Sequence, residues 1–143
     1  MSASPGEIRI GAELVSAPYL LDEAAAKAYG ESIEGPPRRR SRGNIHDDQD
    51  AARQAGFVAP IAAGEQTIAI IAQFLADNFG MRFVRGGRIE VSLTRPVFYG
   101  DTLTSHAKIV SVDARRAGLQ IHVDNQRGEQ VLTGTAAVRL NDA

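Results

Sequence analysis

"EQTIAIIAQFLADNFG", residues 65–80, decides the fold. It has the length and composition of a helix. Ile68, Ala69, Ile70, Ile71, Ala72, Phe74 and Leu75 leave it almost no polar face. A helix apolar nearly all round is buried on most sides. The chain after it changes character. Residues 87–97, "GRIEVSLTRPV", alternate Ile89, Val91 and Leu93 against Glu90, Ser92 and Thr94, the two-residue period of a strand. Three more extended segments follow at 101–114, 117–126 and 129–140, divided by the short turns "FYGD", "ARRAG" and "NQRGE". The pattern predicts an α+β domain in which long antiparallel strands curl around one buried central helix.

Upstream, residues 13–22 read as extended. Asp22 can cap the alanine-rich "EAAAKAYG", with Gly30 as its stop. Residues 31–44 read as a loop, with two prolines, two glycines and a charge run. Asp47 or Asp48 then caps "QDAARQA", which Gly56 ends, and 57–64 is a connector into the central helix.

The 143 residues make one domain, 1–143, with ordinary globular composition: 43% apolar and 23% charged. A net charge of −1 gives no reason to expect nucleic acid or a membrane surface as partner. The one basic cluster, Arg38, Arg39, Arg40 and Arg42, reads as a solvated loop or as a contact for an anionic group. The absence of cysteine rules out disulfides, thiolate metal sites and a cysteine nucleophile. No signal-peptide core or membrane-length apolar run is visible, which reads as cytoplasmic.

Among three histidines, His46 is the one placed in a loop just before a helix cap. An imidazole there can exchange protons near neutral pH. Gly64 opens the central helix, where free N–H groups favour negative charge. Glu65 follows it. An acid in the first helical turn stabilises the helix by about 0.3–1 kcal/mol against the dipole, and it can also meet a substrate. His106 and His122 lie mid-strand and read as sheet-face residues; Asp101 reads as a turn residue.

"HDDQDAARQAGFVAPIAAG" followed by "RPVFYGDTL" resembles the MaoC-like dehydratases, which include the (R)-specific enoyl-CoA hydratases. The resemblance covers about residues 31–112. It implies a hotdog fold, usually paired into a homodimer, acting on acyl thioesters of coenzyme A or of a carrier protein, with no metal or organic cofactor. In those hydratases the catalytic segment reads roughly D-x-N-P-L-H. Its histidine falls on His46, and Ile45 matches the leucine. Its aspartate falls on Ser41, and a serine is no general base near neutral pH without activation. The family's substrate-binding N–H, at the start of the central helix, falls on Gly64. The carboxylate absent from the loop has a counterpart at Glu65.

The implied reaction is reversible addition of water across the double bond of an α,β-unsaturated acyl thioester. His46 would exchange a proton and Gly64 N–H would stabilise the enolate-like oxygen. Glu65 is then the candidate second acid–base group, with Ser41 holding a water. Three alternatives stay open: an acyl thioesterase using Glu65, a non-catalytic acyl-binding subunit, and a tailoring cyclase.

Overall fold

The computed structural model describes residues 8–34 and 44–140. Two short strands, β1 (Glu13–Val15) and β2 (Tyr19–Leu20), lead to helix α1 (Glu23–Glu34). Then come α2 (Gln49–Gln54), α3 (Gly64–Phe79) and the single turn α4 (Met81–Val84). Strands β3 (Arg88–Leu93), β4 (Thr102–Val112), β5 (Arg116–Asp124) and β6 (Gln130–Arg139) complete the domain. The sheet runs β1-β4-β5-β6-β3, with β2 also on β4, and every pairing is antiparallel. One long helix lies against an open antiparallel sheet: this is the hotdog fold.

The inner sheet face is built by alternation. Leu103, Ser105, Ala107 and Ile109 of β4, and Ala117, Leu119, Ile121 and Val123 of β5, are all buried. The apolar ones pack on Ile71, Phe74, Leu75 and Phe79 of α3 in one core. Two one-residue register shifts interrupt the ladders. One lies between Ile109 and Ser111, where Val110 is the extra residue of β4. The other follows Val123, where β6 carries an extra residue. Two consecutive apolar side chains there, Val131 and Leu132, are both buried as a result.

Two expectations need correction. α1 continues through Gly30 to Glu34, because a glycine inside a helix costs about 1 kcal/mol relative to alanine but does not by itself end it. Asp22 does cap it, accepting from Ala25 N–H at 2.6 Å. The strand expected over 87–97 ends at Leu93, before the proline at 96, which has no N–H for a ladder. α3 is buried against the sheet by Ile71, Phe74, Leu75 and Phe79, while Ile68, Ala69 and Ile70 are half-buried. Ala69 and Ile70, with Tyr19, Leu21 and Phe74, line a cavity of about 440 Å³ along the helix flank. Among the described residues, no helix is long and apolar enough to cross a membrane.

Candidate functional site

His46 is carried by a tight turn that its neighbours build. Asn44 Oδ1 accepts from His46 N–H at 2.8 Å. Asp47 binds back to Asn44, accepting from its N–H and from Nδ2 at 3.3 and 3.2 Å. Of the two candidate caps for α2, Asp48 is the one used: its carboxylate accepts from Asp50 N–H and Ala51 N–H at 2.8 and 3.1 Å. The turn is joined to the connector before α3 by Ile61 N–H donating to Ile45 O at 3.0 Å.

The imidazole has a defined tautomer. His46 Nδ1 lies 2.8 Å from Ile61 O. A carbonyl oxygen can only accept, so Nδ1 carries the hydrogen, and in the neutral ring Nε2 keeps its lone pair. Tyr99 fixes the other side of the residue, its hydroxyl donating to His46 O at 2.8 Å. Burial, and then the charges of Glu23 and Asp47, raise the Tyr99 pKa, so the phenol stays a donor. Tyr99 is itself held by its turn. Asp101 accepts from Phe98 N–H at 2.9 Å and from Gln126 Nε2 at 2.9 Å, while Gly100 takes φ +97°, a value that favours glycine.

Helix α3 begins beside this turn. Its N-cap, Ala63, makes no side-chain cap bond. Gln66 N–H turns back to Ala63 O at 3.0 Å; Gly64 N–H and Glu65 N–H have no acceptor within the helix. A Cβ at Gly64 would overlap Leu93 Cδ1 of β3, the end of an exposed side chain that would have to turn aside.

The structure brings His46, Gly64 and Glu65 together on one cavity of about 480 Å³, with Glu23, Lys27, Asn44, Asp47, Gln66 and Tyr99. Glu65 is exposed at its wall. His46 and Gly64 also line a second, more apolar cavity of about 280 Å³ with Phe57, Thr67, Leu93 and Val97. Buried Gln66 connects the first cavity to the apolar one along α3. Its Nε2 donates to Ala26 O at 3.2 Å, while its Oε1 is buried without a hydrogen-bond partner. Ser41 and the arginines at 38–40 and 42 lie outside the described residues.

The sequence did not point to Tyr99, to Ile61 O or to Gln66. Tyr99 had a signal, its place within "RPVFYGD", but its bond spans 53 positions. Ile61 acts through its carbonyl, which every residue has.

The family model for the MaoC like domain matches residues 43–131, from just before His46 to the start of β6. The chain belongs to the MaoC-like domain family. Among solved structures, this MaoC-like chain is similar to a MaoC-like dehydratase from Rhodospirillum rubrum, at 28% identity and TM-score 0.70, covering 93% of this chain and 92% of that one. It is similar in fold to the (R)-hydratase from A. caviae involved in PHA biosynthesis, at 21% identity and TM-score 0.73, covering 95% of this chain and 99% of that one. It is also similar in fold to the R-hydratase PhaJ1 from Pseudomonas aeruginosa, at 22% identity and TM-score 0.75, covering 98% and 86%. No curated protein sequence matches it.

Proposed function

We propose that this MaoC-like protein is a hydratase/dehydratase acting on an α,β-unsaturated or 3-hydroxy acyl thioester of coenzyme A or a carrier protein. The observation that carries the reading is His46, pinned through Nδ1 with Nε2 available, on the same cavity as the uncapped start of α3. In hydration, the oxygen of water bonds to the β-carbon and a proton is delivered to the α-carbon. The thioester oxygen carries the negative charge in between. Gly64 N–H, at the positive end of α3, is the group suited to that oxygen. His46 Nε2 is suited to take or return a proton. Glu65 is the candidate for the second proton transfer, and Ser41 for holding the water. The apolar cavity along α3 suits an acyl chain.

A thioesterase reading draws on one feature, the presence of Glu65 beside His46 on that cavity. Incubation with a panel of enoyl and saturated acyl thioesters, read by mass spectrometry, separates the readings. Gain of water by the enoyl substrates supports the proposal. Release of thiol with no gain of water supports the thioesterase. No change in any substrate favours a non-catalytic acyl-binding role and overturns the proposal.

The working unit in this proposal is a homodimer. Strand β3 ends the sheet and pairs only with β6 among the described residues, with Leu93 51% exposed at the edge of the second cavity. A second copy on that edge would extend the sheet and cover Leu93. Light scattering should give twice the chain mass at micromolar protein; a stable monomer would overturn this part.

A further inference from the structure

The face of the sheet turned away from α3 carries a second constellation of chemical groups. His106 on β4 and His122 on β5 are directly opposed in the ladder. Their rings stack, with centroids 4.3 Å apart and planes 8° from parallel. Asp124 is two residues beyond His122, hence on the same face. Its Oδ2 lies 3.3 Å from His106 Nε2 and 3.5 Å from His122 Nε2. Its Oδ1 is buried without a hydrogen-bond partner. One donor atom from each of the three residues falls within 4.8 Å of the others. All three side chains are partly buried, at 29, 34 and 22% exposure. None of them lines the cavities around His46.

We propose that His106, His122 and Asp124 form a binding site for a divalent transition-metal cation of the zinc type, clamping β4 to β5. Geometry is the first argument. Ligands about 2.0–2.1 Å from a tetrahedral zinc stand about 3.3 Å apart, the spacing the carboxylate already keeps from both imidazoles. The rings lie parallel here, so binding requires them to splay toward each other through χ1 as well as χ2, moving between rotamer wells, until both lone pairs meet one ion. Charge is the second. Two stacked imidazolium rings beside one carboxylate would leave like charges in contact, whereas two neutral imidazoles, one carboxylate and a divalent cation leave a net charge of about one unit. Ligand type is the third. Two imidazoles with one carboxylate suit zinc, nickel or copper rather than calcium or magnesium, which take oxygen ligands. Three protein ligands leave the fourth position to water.

The test uses tag-free, full-length protein stripped with a chelator and titrated with zinc chloride by calorimetry. The expected result is one ion per chain and a rise in melting temperature that EDTA reverses. Asp124→Asn and His122→Asn should each weaken binding by at least about 10-fold, since loss of even an outer-shell partner costs about 10–100-fold. The wild-type protein supplies an independent reading: zinc should move the Cε1–H NMR signals of His106 and His122 and leave that of His46 in place. Absence of saturable binding would overturn the proposal. So would binding unchanged in both variants, or zinc-induced shifts confined to His46.

Discussion

His46 and the His106–His122 pair hold the same functional group in opposite ways. His46 donates Nδ1–H to a neutral main-chain carbonyl. That contact orients the ring and selects a tautomer without adding a charge beside it. His106 and His122 instead share a carboxylate oxygen and stack on each other. His106 there feels the charge of His122 and of Asp124. The first arrangement suits a group that must pass a proton and recover. The second suits a group that must hold something still. His46 also rests on loops and a helix terminus, where cavities open, whereas the pair rests on two long neighbouring strands.

The largest expected effect separates the two sites by turnover. His46→Ala should lower thioester hydration by ~10²-fold or more, the scale for loss of a general acid–base group, while His122→Asn leaves the rate unchanged. Equal losses in steady-state assays of the two variants would erase the distinction. Glu65→Gln tests whether the histidine works with a partner. A fall of ~10²-fold is expected if Glu65 moves the second proton; full retention of rate would leave it as a helix-dipole residue only.

Smaller effects probe what supports His46. Asp48→Ala removes the cap of α2 and should cost about 1 kcal/mol in urea unfolding. Tyr99→Phe leaves His46 O without its donor and should also cost about 1 kcal/mol, with a change in the pH profile of turnover as the turn loosens. An unchanged profile would show that Ile61 O alone positions the ring.

The pair has a pH signature. Burial and His122 depress the folded pKa of His106 below its unfolded value of about 6.5. The unfolded chain therefore binds more protons in this range, and stability rises with pH. The contribution is complete above about pH 6.5 and is lost as pH falls from there through the folded pKa. The charged or titratable groups around the ring are His122 and Asp124 of β5, Glu13 of β1 and Lys108 of β4. Metal-free protein should unfold at lower urea at pH 5.5 than at pH 7.5. His106→Asn should shrink that difference; an unchanged difference would assign it to other groups.

The fold was legible because periodicity reports burial directly. The alternation in β3 to β6 marked the strands, and the apolar run from Ile68 to Leu75 marked the central helix. That same run could not show that Ala69 and Ile70 line a cavity, since a groove wall and a core demand the same side chains. Gly30 misled because glycine marks helix ends often but not always. In the candidate site, His46 and Gly64 were legible as a motif in order along the chain, whereas His106 and His122 read only as sheet-face residues. The stacking of His106 on His122 was hidden, because it depends on the strand register.

That register is kept across one unpaired residue, Val110, which bears on how the gene can change length. Counting back evenly from Val112 opposite Ala117, with no extra residue, would set His106 against Val123 and turn its ring toward the core. The unpaired position absorbs that offset. Losing Val110 would leave a regular ladder with His106 still opposite His122, so a one-codon deletion is expected to be tolerated there. The same deletion at Gln120 would throw every residue on one side of it onto the wrong face. Aligned relatives that keep both histidines should therefore carry single-residue gaps at 110 and none within 119–123; gaps scattered evenly along the hairpin would contradict this.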